Sequence, residues 1–330
     1  MPSSTLRIGL NPYGLTHTLG LQGAGTPRQN LNPLGVLDYL NLAVNLGAAS
    51  IEFHLPHLEL ATDEIADQLR QTLQKNAITP VVSCSPPLET LPSAICQAIR
   101  IGATVIRVGL STVLEGARAE CEDWAERVAK IQTDLPRYAA MAAEQKIDFA
   151  IEDHQDFGSE ELLNFAENAG DNVGICLDTG NPLAVGEAPI EFALRVAHRV
   201  KHVHLKDYIS QPTHEGYRLI RCAIGDGTVP LPAIEEILRK TGNQFTATME
   251  PGAMDARHIR LLTERWWNGY PPRSARELAS CVEASRKKQI AATAENRTPW
   301  ELGRPHAELI AYESDMLARG TLNMRNLGWL

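Results

Sequence analysis

Brief apolar runs alternate with amphipathic stretches along most of this chain. Leu6 to Asn11, Ala49 to Phe53, Thr79 to Ser83 and residues 104–109 read as strands, and four further runs end at Glu152, at Asp178, near Lys206 and at Glu250. Helical spacing fills the intervals. Residues 33–46 carry Leu34, Leu37, Leu40, Val44 and Leu46 and stop at Gly47. Further helices are predicted over 63–76, 91–101, 118–145 with a break near Pro136, from Ser159 with acids in its first turn, over 188–198 and over 230–240. Tyr13 to Gln29 is long for a strand–helix connection and carries His17, which is expected to be solvated. Segment 208–228 reads as irregular, with Gly225-Asp226-Gly227 as a turn signal.

Eight strand–helix units predict an α/β protein with a parallel sheet, closed as a (β/α)8 TIM barrel whose site lies at the carboxyl ends of the strands. An open doubly wound sheet would need a Gly-x-Gly-x-x-Gly turn after a strand, and none occurs. The pattern changes near residue 255. The barrel is assigned to 1–260 and a C-terminal helical extension, packed on it, to 261–330. The extension holds the aromatic turn Arg265-Trp266-Trp267-Asn268-Gly269-Tyr270-Pro271-Pro272 and helices over 274–290 and 306–320. It is expected to supply part of the eighth helix, with Trp266 and Trp267 packing it to the barrel.

A buried parallel strand is a nearly continuous hydrophobic run, so charge at its carboxyl end implies that the end opens onto a site. Here three carboxylates and an imidazole, Glu152, Asp178, His204 and Glu250, end four strands. Closure into a barrel would bring them to one point. A set dominated by hard oxygen suits a divalent metal, Mn²⁺ first, with Mg²⁺, Co²⁺ or Zn²⁺ as alternatives. Such a site chelates a carbonyl and a neighbouring hydroxyl and stabilises an enediolate, with Glu152 and Glu250 as acid–base residues. Side-chain alternation puts Lys206 on the face of His204 and His154 on that of Glu152, where both can meet substrate. Glu52 and His54, ending the second strand, are expected to line the same pocket. Arg107, inside the fourth strand, is expected to form a core ion pair.

Bulk properties narrow the partners. Nucleic-acid binders usually show a basic face, so the net charge of -9 counts against such a partner, and 44 % hydrophobic residues support a large core. The six cysteines form no Cys-x-x-Cys pair and read as free thiols of a reducing compartment. The N-terminus has no apolar signal core, and no run approaches the ~20 apolar residues of a membrane span. A cytoplasmic protein with a small carbohydrate substrate, no membrane partner and room for homo-oligomers is the expectation.

The segments Ile151-Glu152-Asp153-His154-Gln155-Asp156, Leu177-Asp178-Thr179-Gly180-Asn181, His202-Val203-His204-Leu205-Lys206-Asp207, Gly225-Asp226-Gly227 and Met249-Glu250-Pro251-Gly252 resemble the sugar phosphate isomerase/epimerase family. The resemblance spans roughly residues 5–255. It implies a xylose isomerase-like barrel, a divalent metal on Glu152, Asp178, His204 and Glu250, and acid–base roles for the two glutamates. Two positions depart from the family's ketose 3-epimerases: Asn181 replaces a His, and Ser210 replaces an Arg. Asn181 also replaces a ligand of the three-zinc DNA-repair branch. The His-Leu-Lys-Asp segment resembles inosose dehydratases instead. The expected function is therefore a metal-dependent sugar isomerase or epimerase. The alternative is a lyase, dehydratase or decarboxylase, acting on a keto-sugar or keto-sugar acid through the same enolate.

Overall fold

Alternating side chains build the barrel before any loop is considered. The structure, a computed structural model, describes residues 6–251 and 254–330, so Gly252 of the last motif lies outside the described residues. In chain order the strands are β1 (Ile8–Leu10), β2 (Ser50–His54), β3 (Thr79–Cys84), β4 (Val105–Val108), β5 (Asp148–Glu152), β6 (Val173–Asp178), β7 (Val200–Leu205), β8 (Tyr208–Thr213), β9 (Gly216–Arg221), β10 (Thr246–Met249) and β11 (Arg257–Ile259). The first seven and β10 form a closed parallel barrel, in the order β1-β10-β7-β6-β5-β4-β3-β2. β2 shows the logic. Phe53 meets Tyr39 edge-on outside the barrel, while Glu52 reaches His202 and His204 across the interior. Outward positions such as Ile51, Val82, Ile106, Ile151, Ile175 and Val203 join the core cluster. Burial of each such side chain contributes roughly 1.5–3 kcal/mol.

The helices are α1 (Val36–Leu46), α2 (Leu55–Glu59), α3 (Asp63–Asn76), α4 (Leu91–Ile101), α5 (Trp124–Glu144), α6 (Ser159–Ala169), α7 (Pro189–Val196), α8 (Leu231–Thr241), α9 (Ala275–Ser285) and α10 (His306–Asn326). α3 starts where Thr62 accepts a hydrogen bond from the Ile65 N–H as its N-cap. The predicted break near Pro136 is absent. α5 runs through it, and the short turn at Arg118–Glu120 is separate. Proline removes one helix hydrogen bond, but Ile131, Leu135, Tyr138, Ala139 and Ala142 bury on both sides of it and hold the helix together.

Segment 208–228 is also more ordered than predicted. β8 and β9 form an antiparallel hairpin, and β11 adds a third strand to it. The alternation of buried Tyr217 and Leu219 with the less buried Gly216, Arg218 and Ile220 makes this a one-sided sheet. In the tail, α9 ends short of 290 because the chain turns into an extended contact. The Lys288 carbonyl accepts from Ser210 N at 3.0 Å, and Ile290 N donates to the Ser210 carbonyl at 2.9 Å. α10 runs past 320. Its Asn323 amide donates to the Ile224 carbonyl, Arg325 to the Leu46 carbonyl, and the Ile8 N–H donates to the Trp329 carbonyl at 3.2 Å. The end of the chain thus fills the ring between α1 and the approach to α8. Trp266 stacks on Tyr270 and its indole N–H donates to the Glu115 carbonyl at 3.0 Å.

Candidate metal centre and substrate cavity

Register fixes the centre. Glu152 ends β5, Asp178 ends β6, and His204 lies directly beside both Asp178 and Thr248 of the flanking strands. Glu250 follows β10, its N–H donating to the Leu205 carbonyl at 2.9 Å. One donor atom from each of Glu152, Asp178, His204 and Glu250 lies within 4.8 Å of the others, and all four residues are buried. Three buried carboxylates around an imidazole form the donor set of a hard divalent cation, and the residues fit one.

Protein cations also surround the carboxylates. Glu152 meets His204 Nδ1 at 3.0 Å and Arg107 at 3.3 Å. Glu250 meets Arg221 at 2.7 Å, Lys206 at 3.0 Å and His204 Nδ1 at 3.3 Å. Lys206 also pairs with Asp178 and reaches the Asn181 side-chain oxygen at 3.4 Å. Burial alone would raise the pKa of Glu250, but Lys206 and Arg221 overcome it and hold the carboxyl well below its usual range. Glu152 is lowered against burial in the same way, by Arg107 and by His154. Asp178 moves oppositely, to about 6, because burial raises it and Glu250 and Glu152 add to that.

Beneath the centre, Glu52 acts as an anchor. It is completely buried and contacts His204 Nε2 at 2.7 Å, His202 Nε2 at 3.0 Å, Arg107 Nε at 3.4 Å and the Asn11 amide at 3.4 Å. A carboxylate only accepts, so the two Nε2 atoms carry protons here. The same rule puts a proton on His204 Nδ1, which faces Glu152 and Glu250, and a cation bound among the carboxylates would take that proton's place. Orientation of a metal-binding imidazole by a buried carboxylate is a common arrangement. His202, whose Nδ1 meets Thr246 Oγ1 at 2.6 Å, belongs to this support. Cys176, His202 and His204 form a second cluster within 4.8 Å, but Glu52 ties up both imidazoles there.

Above the centre lies a cavity of about 290 Å³ with Glu152 and Glu250 in its wall. His154 and Arg107 line it, with Tyr13, Thr16 and Gln22 from the long loop after β1. The other sequence-predicted residues lie elsewhere. Glu52 lies below the centre, and Lys206 is buried against its carboxylates. His54 stands one residue back, its Nδ1 3.0 Å from the Tyr13 hydroxyl, and burial with neighbouring His57 lowers its pKa to about 4. Neither Glu52, Lys206 nor His54 lines the cavity. Arg107 forms the expected ion pairs and faces the cavity as well. His17 is not solvated. It is 1 % exposed, with Nε2 2.9 Å from His306 Nδ1, because α10 covers it.

Sequence reading missed Arg221 and Arg257, both cavity-lining and both on the accessory sheet. The signal for Arg221 was the alternation Tyr217, Leu219, Arg221. Ser210, on the neighbouring strand, is buried and turns its hydroxyl to the Ser285 carbonyl. The extension also holds the cavity's rim. Glu313 of α10 accepts from His17 N at 2.7 Å, Thr18 N at 2.8 Å, Thr18 Oγ1 at 2.6 Å and Thr16 Oγ1 at 3.3 Å. Arg28 lies over Trp300, 3.5 Å from its ring centre. Glu301 binds Ala256 N and Arg218, and Thr298 donates to the Met254 carbonyl.

Comparison with known proteins agrees with the fold. The rhizopine catabolism protein MocC of Rhizobium meliloti is 31 % identical over 139 residues, 38 % of this chain and 42 % of its own length. The 3-oxo-isoapionate decarboxylase of Pectobacterium atrosepticum is 25 % identical over 147 residues, 43 % of this chain and 52 % of its own. The chain thus spans about half the length of these curated relatives. A xylose isomerase-like TIM barrel protein from Mycobacterium smegmatis, solved in complex with magnesium, superposes with a TM-score of 0.54. It is 16 % identical, and the match covers 86 % of this chain and all of that one. Among the described residues no helix is long and apolar enough to cross a membrane. The family model described as xylose isomerase-like TIM barrel matches residues 40–267, and the chain belongs to that family.

Proposed function

We propose that this chain is a divalent-metal-dependent isomerase or epimerase of a small sugar or keto-sugar derivative. The observation that carries this reading is the convergence of Glu152, Asp178, His204 and Glu250 at the wall of a cavity sized for a small ligand. Glu152, Asp178, His204 and Glu250 would hold a divalent cation, Mn²⁺ first, and the chemistry it would supply is polarisation of a substrate carbonyl, which eases loss of the neighbouring C–H proton. Glu152 and Glu250 come from strands separated by β6 and β7, so they approach a bound substrate from two sides. That suits removal of a proton by one and its return by the other. Arg221 and Lys206 grip Glu250 more closely than Arg107 grips Glu152. The less firmly held carboxylate is the better base, so Glu152 is assigned abstraction and Glu250 return. Lys206 balances the charge of Asp178 and Glu250, and His154 is placed to touch a substrate hydroxyl.

The test is hydrogen exchange in deuterated water on a panel of keto-sugars, with Mn²⁺ present. Glu152→Gln and Glu250→Gln should each lower exchange and turnover about 10²–10⁴-fold, and full activity in either variant refutes the proton-transfer role. A lyase reading is favoured by one specific observation, the three arginines facing the cavity, beside a relative named as a decarboxylase. Product mass decides: loss of water or CO₂ marks a lyase, and unchanged mass with a new chromatographic peak marks an isomerase.

A further inference from the structure

The accessory sheet presents two arginines to the cavity from one face. β9 and β11 pair antiparallel, with Arg257 opposite Leu219 and Ile259 opposite Tyr217. Directly opposed residues share a face, and so do alternate residues of one strand. Arg257 therefore stands on the face of Tyr217, Leu219 and Arg221, diagonal to Arg221. Both residues line the cavity.

Their charge accounts differ. Arg221 is paired with Glu250 at 2.7 Å, and Arg107 with Glu52 and Glu152. Arg257 is half-buried, and its guanidinium has no ion pair or hydrogen bond among the described residues. Asp255 lines the same cavity as a carboxylate, its Oδ2 accepting from the neutral Gln22 amide at 3.3 Å, and forms no ion pair with Arg257. A half-withdrawn guanidinium beside a second one is unfavourable unless an anion neutralises it. The planar fork of arginine matches carboxylate and phosphate oxygens in pairs. The lining sets three arginines against three carboxylates, Glu152, Glu250 and Asp255, and Arg107 and Arg221 already pair with glutamates, which leaves Arg257 as the arginine of the lining outside an ion pair among the described residues.

We propose that Arg257, with Arg221 beside it, forms a subsite for an anionic group of the substrate, so that the ligand is a sugar acid or a sugar phosphate and not a neutral sugar. This rests on the cavity being the substrate site, as proposed above. It is tested without turnover and without metal, so its failure is separate from failure of the proton-transfer reading.

Calorimetric titration of the full-length, metal-free protein provides the test. Acetate and inorganic phosphate serve as anions that need no sugar scaffold. D-tagatose, D-tagaturonate and D-tagatose 6-phosphate then differ in the group at the terminal carbon. The wild type should bind at least one anion, and the matching charged sugar at least tenfold more tightly than D-tagatose. The arm that shows the preference distinguishes carboxylate from phosphate. Arg257→Gln should erase the preference, bringing the charged sugar to within twofold of D-tagatose. Arg257→Lys, which keeps the charge, should retain part of it and guards against a folding defect in the Gln variant. Absence of anion binding in the wild type, equal affinity for charged and neutral sugars, or an intact preference in Arg257→Gln overturns the proposal.

Discussion

The two ends of β7 carry the same kind of pair in opposite surroundings. At its start, Lys201 meets Asp148 of β5 at 2.9 Å, with the two side chains 22 % and 41 % exposed. Just past its end, Lys206 pairs with Asp178 of β6, both essentially without exposure. The first is an ordinary surface pair, worth roughly 0–1 kcal/mol. The second takes two charges out of water, and a buried ion pair is poor evidence of added stability because desolvation offsets attraction. A barrel that needed only stability would fill that end with Val, Ile and Leu. Here Glu52, Arg107, Glu152, Asp178, His202, His204, Lys206 and Glu250 occupy it. The carboxyl end is built for chemistry and the amino end for solvent.

Lysine-to-methionine substitutions at the two ends should break this comparison most visibly. Lys206→Met takes from Asp178 its buried cationic partner, leaves Glu250 to Arg221 and His204, and should cost about 3–5 kcal/mol in the metal-free protein, with much of that recovered on adding Mn²⁺. Lys201→Met should cost less than about 1 kcal/mol and be indifferent to Mn²⁺. Urea unfolding with and without the metal reads both. Equal, metal-independent losses would erase the distinction between the ends.

Glu52→Gln sharpens the comparison one layer further in. It keeps the shape but weakens the hold on His204 Nε2, and should loosen Mn²⁺ about 10–100-fold with little change in fold. Unchanged affinity by calorimetry would show that Glu52 does not orient the imidazole.

Glu313→Gln addresses the rim. Its four accepted hydrogen bonds hold Thr16, His17 and Thr18, and Thr16 lines the cavity. Loss of charged acceptance should cost about 1–3 kcal/mol and raise KM more than it lowers kcat. Burial raises the Glu313 pKa although its donors oppose this. The native state therefore binds that proton more tightly than the unfolded chain. The associated stability is complete below the unfolded value and is lost as pH rises through the folded one. The Gln variant should lack that slope, and thermal unfolding across pH 4–8 checks it. An unchanged KM would confine Glu313 to stability.

The barrel was legible because each strand and helix announces itself within about ten residues. The four charges were legible for a related reason: Glu152, Asp178, His204 and Glu250 interrupt hydrophobic runs where burial should exclude them. The accessory hairpin was not, since β8 mixes Ser210, Gln211, Pro212 and Thr213 with few apolar residues. Arg221 and Arg257 were lost with it. Glu52 carried a charge signal at a strand end, but nothing local distinguishes a residue facing substrate from one facing an imidazole below. Glu313 was invisible for a different reason. Its partners lie 295–297 residues away, and a helical glutamate reads as solvated. His17 was misread through the same missing contact.

The central claim is that four strand ends share one cation. Elemental analysis of the purified protein, together with Mn²⁺ titration of the metal-free protein, tests it directly. The account predicts one divalent ion per chain, and binding weakened at least a hundredfold in Asp178→Ala and in His204→Ala, while Lys201→Met binds as the wild type does. A protein that binds no divalent ion, or binds it equally well without Asp178 and His204, contradicts the account.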